Sequence, residues 1–218
     1  MTLDFDTQRQ HMVDGQVRTS DVTNLAVLSA FLEVPREAFV ATAHLPLAYL
    51  DHDLEIAPGR AVMAPAKLAK LVQAASVCDD DIVLDIGCGT GYSTAILSRL
   101  CNSVVAVEEN PALADTASSK LGELGFDNAA VIQSPLALGC KAEGPFDVIF
   151  VGGSVDAVPS MILDQLKDGG RLVAVEGQGN AGVARLWTRD GSSISSRRLF
   201  NCAVAALPGF ARAPEFQF

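Results

Sequence analysis

Residues 82–92, Ile-Val-Leu-Asp-Ile-Gly-Cys-Gly-Thr-Gly-Tyr, constrain the fold of this chain more than any other stretch. Ile82–Ile86 is a short, mostly apolar strand candidate. Three glycines then fall within five residues, at 87, 89 and 91, and a helix is expected over about 92–100. Glycines at such a corner permit a tight turn and let backbone N–H groups approach a ligand closely. The same alternation continues along the chain. Strands are expected at 104–108, 129–133, 147–151 and 171–175, with helices at 111–124 and 158–167. Short strands rich in β-branched residues, without polar alternation, are what a parallel sheet covered on both faces requires.

The ends of the chain differ from this middle. Val22, Leu25, Leu28 and Phe31-Leu32 recur at helical spacing, with Ser20 or Asp21 placed to cap and Pro35 to stop the helix. Residues 41–65 carry Pro46, Pro58, Gly59 and Pro65 with little periodicity, so loop is expected there. Residues 66–77 form an amphipathic helix pattern. Toward the C-terminus, 183–188 and 198–207 flank Asp190-Gly191 and suggest an antiparallel hairpin. The expected fold is therefore α/β, a Rossmann-like doubly wound, mostly parallel sheet of about seven strands with an N-terminal helical extension and a C-terminal antiparallel hairpin. Length fits one domain over 1–218, with 1–65 as extension and 66–218 as the cofactor-binding core.

The glycine loop also points to a ligand. Glu108 ends the next strand, 23 residues beyond Asp85, where an acid accepts two ribose hydroxyls. A dinucleotide fingerprint needs its third glycine three residues after the second, and Tyr92 stands there instead. Asp85 just before the loop would repel a pyrophosphate and suits the ammonium end of S-adenosylmethionine. That makes S-adenosyl-L-methionine the expected cofactor and disfavours a nicotinamide oxidoreductase. Glu108, at a strand end facing a cleft, is expected to contribute little packing.

The net charge of −10 argues against nucleic acid as a partner, because phosphate binding needs a basic face. Five cysteines with no CxxC spacing suit reduced thiols rather than a disulfide framework or zinc. Met1–Gln10 has no apolar core of a leader, and no apolar run reaches about 18 residues, so a cytoplasmic location and no membrane contact are expected.

Beyond the glycine loop, several stretches resemble the protein-L-isoaspartate O-methyltransferase family over roughly residues 10–178. They are Val27-Leu28, Val34–Val40 (VPREAFV), Ala48-Tyr49, Val83–Ala95, Phe146–Ile149 and Gln165–Val173. The resemblance implies methyl transfer from S-adenosylmethionine to the carboxyl of an isoaspartyl residue, the first step in repair of aged proteins. It implies a cofactor set of Ala64, Pro65, Asp85, Ile86, Gly87, Cys88, Gly89, Thr90, Gly91, Glu108, Glu109, Ser134, Pro135 and Gly152. It assigns no catalytic side chain and no metal. The partner is an isoaspartyl-containing peptide or protein, or else a small carboxylate or hydroxyl acceptor.

This sequence departs from the family in two places. Before the first core helix the family carries a threonine–x–serine segment ending in proline; here Gly59–Pro65 places Ala61 and Met63 where those hydroxyls stand. After the third core strand, Ser134 replaces an acid expected near the adenine. An O-methyltransferase with another acceptor, or a silent cofactor-binding homologue, stays open on that account. Among other residues, Asp51-His52-Asp53 bunches three ligand-type side chains, but neighbours on an extended segment point apart, so a solvated or substrate-side loop is expected. Tyr49 either borders the substrate cleft or packs. Trp187 is expected to pack, and Cys88 to be a spectator whose backbone does the work.

Overall fold

The computed structural model describes residues 4–211. Seven strands form one sheet in the order β5-β4-β3-β6-β7-β8-β9. They are β3 (Ile82–Ile86), β4 (Ser103–Glu108), β5 (Ala129–Gln133), β6 (Phe146–Val155), β7 (Leu166–Glu176), β8 (Val183–Asp190) and β9 (Ser193–Asn201). The first five pair in parallel, and β7-β8-β9 pair antiparallel. The chain starts mid-sheet at β3, winds outward through β4 and β5, then crosses to β6 on the other side. The carboxyl ends of β3 and β6 therefore form the switch point, where ligands bind in open α/β sheets.

Both faces of the sheet are covered, as the apolar strands require. Val83, Val104, Val148, Phe150, Val173 and Val175 join one buried cluster with the N-terminal helices. Leu84, Ile86, Ile149, Val151, Leu172 and Ala174 join a second, with Ile162, Trp187, Leu207 and Phe210. Neighbouring residues of one strand thus serve opposite cores, the two-residue period of β structure. Trp187 packs, as expected.

The helices are α1 (Phe5–Met12), α2 (Leu25–Glu33), α3 (Pro65–Ala75), α4 (Tyr92–Ser98), α5 (Pro111–Glu123) and the short α6 (Ser160–Leu163). α3 starts with proline at its first turn and buries Leu68, Leu71, Val72 and Ala75. The cap of α2 lies later than Ser20 or Asp21. Asn24 accepts from Ala26 N at 2.9 Å and Val27 N at 3.3 Å, while Asp21 takes a left-handed φ of 64°. Pro35 does end the helix, one residue after its cap Val34.

Three segments differ from the sequence reading. Within 41–65 two short strands, β1 (Leu54–Ala57) and β2 (Arg60–Val62), pair as an antiparallel hairpin across Pro58-Gly59. Strands of four and three residues are too short to show a period. In place of a helix over 158–167, only Ser160–Leu163 is helical. β7 begins at Leu166, which pairs with Phe146; the register then jumps to Arg171 opposite Val148, so Asp168-Gly169-Gly170 is an excursion within the strand. The second arm of the C-terminal hairpin runs over 193–201 rather than 198–207. The following segment turns back over β6, with Ser154 N donating to Ala205 O at 2.9 Å and Leu207 N to Ser154 O at 2.8 Å.

Candidate active site

Between β3 and α4, Gly87, Gly89 and Gly91 hold φ values of 81, 59 and 99°. Such angles are nearly closed to residues with a Cβ, so only glycine makes this corner without strain. Gly87 N donates to Val107 O at 2.8 Å, which ties the corner to β4. Thr90 hydroxyl donates to Phe39 O at 2.6 Å, which ties it to the N-terminal region. Phe39 belongs to the VPREAFV stretch, whose Arg36 is fully buried and donates to Ala48 O at 2.7 Å. That stretch acts structurally, fastening the loop before β1. Cys88 is buried, and burial pushes its thiol pKa well up, so no thiolate nucleophile sits here.

Asp85 is fully buried at the end of β3. Ser93 and Thr94, from the first turns of α4, both donate to its Oδ2 at 2.7 Å. Its Oδ1 has no partner. Burial raises its pKa to about 6, against the pull of those two hydroxyls. An unpartnered buried carboxylate oxygen beside a glycine loop fits the ammonium group of S-adenosylmethionine, so the polar groups present suit that cofactor.

Glu108 is fully buried as well. Its Oε1 accepts from Arg60 Nη1 at 2.7 Å and from Asn110 N at 3.0 Å. Its Oε2 accepts from Arg60 Nη2 at 2.6 Å and from Gly89 N at 2.9 Å. Arg60 also donates to Gly87 O at 3.2 Å. Glu108 is thus the centre of a buried ion pair rather than a cleft-facing group with little packing. Two hydrophobic side chains join Arg60. A Cβ on Gly89 would lie 2.7 Å from Ile56 Cδ1, and one on Gly87 would lie 2.8 Å from Leu207 Cδ2.

The cavity at the loop is lined by Ile56, Ala61, Met63, Gly87, Cys88, Ser93 and Gly152 among others, and its free volume is about 20 Å³. That is room for about one water. Gly152 enters here because β6 passes the loop closely; a Cβ there would lie 3.0 Å from Gly87 O. Ala61, Met63 and Gly152 also line a smaller adjoining cavity with Asp53, Val204 and Ala205. The positions where the family carries hydroxyls therefore lie together between the glycine loop and the tail. On the outer side of Arg60 lies an open cleft of about 640 Å³, lined by Pro58, Gly59, Glu109, Asn110, Pro111 and Leu207.

Of the cofactor candidates, Asp85, Ile86, Gly87, Cys88, Gly89, Thr90, Gly91 and Gly152 cluster at the loop, with Glu108 beside them. Glu109 faces the outer cleft instead. Ala64 and Pro65 open α3 below Met63. Ser134 N donates to Glu108 O at 3.2 Å, but neither Ser134 nor Pro135 lines the loop cavity. The sequence reading missed Ile56, Arg60 and Leu207. Arg60 left a trace, being the one charged residue between Glu55 and Lys67. Leu207 left none, because its contact depends on the tail crossing β6.

Asp51 and Asp53 serve the start of α3. Asp51 accepts from Ala66 N at 3.1 Å, while Asp53 accepts from Ala64 N at 2.7 Å and pairs with Lys67 at 2.9 Å. Among the described residues, no group of three or more His, Cys, Asp or Glu side chains is arranged to hold a metal. Tyr49 is buried away from the loop; its hydroxyl donates to Glu37 and accepts from Arg9. It packs the N-terminal region rather than bordering the cavity.

The profile of the protein-L-isoaspartate(D-aspartate) O-methyltransferase (PCMT) family matches residues 7–208. The chain belongs to this family. It is 33% identical over 205 residues to the protein-L-isoaspartate O-methyltransferase of Koribacter versatilis (strain Ellin345), covering 94% of this chain and 92% of that one. It is 35% identical over 209 residues to that of Syntrophus aciditrophicus (strain SB), covering 94% and 95%. A solved protein-L-isoaspartate O-methyltransferase superposes with a TM-score of 0.81 at 26% identity, over 92% of this chain and 66% of that longer one. The fold also matches a putative member from Plasmodium falciparum in complex with S-adenosyl-L-homocysteine, with a TM-score of 0.80 at 21% identity, over 94% and 99%. The protein is an S-adenosylmethionine-dependent O-methyltransferase. No helix among its described residues is long and apolar enough to cross a membrane.

Proposed function

We propose that this protein methylates the carboxyl of isoaspartyl residues in aged proteins, the first step in their repair. The observation that carries this reading is the family match across 7–208. An isoaspartyl carboxylate has a pKa of about 4 and is ionised near neutrality, so no proton must leave. The bound cofactor supplies an electrophilic methyl group. The chain's own work is then to orient the acceptor oxygen and exclude water, which proximity alone rewards strongly. Asp85 would face the cofactor's ammonium group, and the backbone of Gly87 to Gly91 its middle. Glu108 would take the ribose hydroxyls once Arg60 has left it.

A second reading, methylation of a different acceptor, is favoured by Ala61 and Met63. Both line the two adjoining cavities with Gly152, and neither side chain carries a hydroxyl group. The assay is transfer of labelled methyl to an isoaspartyl peptide, with the aspartyl peptide as control. The parent protein is expected to be weakly active. Ala61→Thr with Met63→Ser is expected to raise the rate roughly tenfold or more, at about 1 kcal/mol for each restored hydrogen bond. If neither protein methylates the peptide while both bind S-adenosylhomocysteine, the isoaspartyl reading is lost to the second.

A further inference from the structure

We propose that the β1–β2 hairpin is a latch on the cofactor site, so that closure of Arg60 on Glu108 and binding of the cofactor exclude each other. The inference rests on the reading that Glu108 is the ribose acid.

A carboxylate offers about four lone-pair sites. All four on Glu108 are filled: two by Arg60, one by Asn110 N and one by Gly89 N. The backbone donors belong to the glycine corner and the start of α5, which frame the site. Arg60 is the removable pair. Its two N–H groups sit on the two oxygens as a ribose diol would, so the guanidinium occupies the sugar's place. Ile56, on the same hairpin, covers Gly89, and Leu207 from the tail covers Gly87. With these three side chains seated, about 20 Å³ remains at the loop. A pocket for a ligand of this size is typically several hundred Å³.

Two of these three side chains, Arg60 and Ile56, sit on an element that can leave the site. β1 and β2 form a two-stranded sheet of their own, apart from the seven-stranded sheet. Such a ribbon has marginal stability by itself, and its turn is Pro58-Gly59. The outer cleft of about 640 Å³ reaches Arg60, Gly59 and Leu207, so a ligand meets the latch from the solvent side. Withdrawing Arg60 and Ile56 joins that cleft to the glycine loop. A closed latch lowers the apparent affinity by the fraction of molecules that are open.

The test is calorimetric titration of S-adenosylhomocysteine into the parent, Arg60→Gln and Leu207→Ala, each checked for a cooperative thermal transition. Arg60→Gln is expected to bind about 10- to 100-fold more tightly, and Leu207→Ala a few-fold more tightly. A second readout needs no variant. Arg60 is only 8% exposed when latched. Saturating S-adenosylhomocysteine is therefore expected to speed trypsin cleavage between Arg60 and Ala61, followed as the 1–60 fragment by mass spectrometry. Equal or weaker binding by a folded Arg60→Gln overturns the latch and leaves the cofactor reading standing. So does an unchanged cleavage rate in parent protein shown to bind, which decides the matter even if Arg60→Gln does not fold. Absence of binding in parent and variants alike overturns both the latch and the cofactor reading.

Discussion

Two buried acids stand near the carboxyl ends of neighbouring strands, Glu108 two residues beyond the partner of Asp85, and their surroundings set them different tasks. Glu108 has every acceptor site filled, while Asp85 keeps one oxygen without a partner. A buried carboxylate with an orphan oxygen costs stability in the ligand-free protein, and its sign is testable. Asp85 titrates near 3.8 in an unfolded chain and near 6 in the fold. Between those values the folded state holds the proton more tightly, so this group's contribution to stability is present below the window and lost as pH rises through it. At pH 7 Asp85→Asn is therefore expected to stabilise the ligand-free protein by about 1–3 kcal/mol, because Asn keeps an acceptor for Ser93 and Thr94 without the charge. The gain should shrink toward pH 4. Urea unfolding at both pH values measures it, and a variant less stable than its parent at pH 7 would contradict the assignment. The same change is expected to weaken S-adenosylhomocysteine binding, since the ammonium group loses its counter-charge.

At the scale of elements, the segment before the sheet illustrates how capping and function share residues. α3 begins at Pro65 with no side-chain cap from Ala64 itself. Asp51 and Asp53 supply the missing acceptors from the preceding loop, and Asp53 adds the Lys67 pair. Asp53→Ala is expected to cost about 1 kcal/mol, the usual worth of a cap, read as a lowered thermal midpoint. Added zinc or chelator should leave the midpoint of the parent unchanged. A metal-dependent midpoint would show that these acids serve an ion after all. The core of the sheet was legible in the sequence because its inner parallel strands, β3, β4 and β6, are buried on both faces and read as mostly apolar runs. The glycine corner was legible because three positive φ values demand a residue type. The β1–β2 hairpin was not, since seven residues in two strands carry no period. Nor was α6, where an apolar run that looked helical was claimed by β7 pairing with Phe146. Glu108 was legible as a residue but not as half of an ion pair, because its partner lies 48 positions earlier and meets it only through tertiary folding.

On the scale of the whole molecule, the chain's last described residues belong to the core rather than to a loose end. After β9 the backbone crosses β6 and exchanges hydrogen bonds with Ser154 on both sides. Val204, Leu207 and Phe210 are buried there, and Leu207 and Phe210 join the sheet's second apolar cluster with Ile149 and Trp187. Gly153 lies against this crossing, with a would-be Cβ 2.7 Å from Ala205 O. Burying a large apolar side chain is worth about 1.5–3 kcal/mol, so three of them amount to roughly 5–9 kcal/mol, as much as a domain's whole stability at the lower end of its range. Deleting everything after Ala203 is therefore expected to leave a protein that unfolds at much lower urea, or one that is partly unfolded without denaturant. That truncation separates two accounts of the tail. Were it only a cover on the glycine loop, the shorter protein would keep its urea midpoint and merely bind S-adenosylhomocysteine more tightly. The hydrogen bonds to Ser154 and the seating of Phe210 among β-sheet residues argue that it is a structural element first, and that Leu207 reaches Gly87 because the core holds it there.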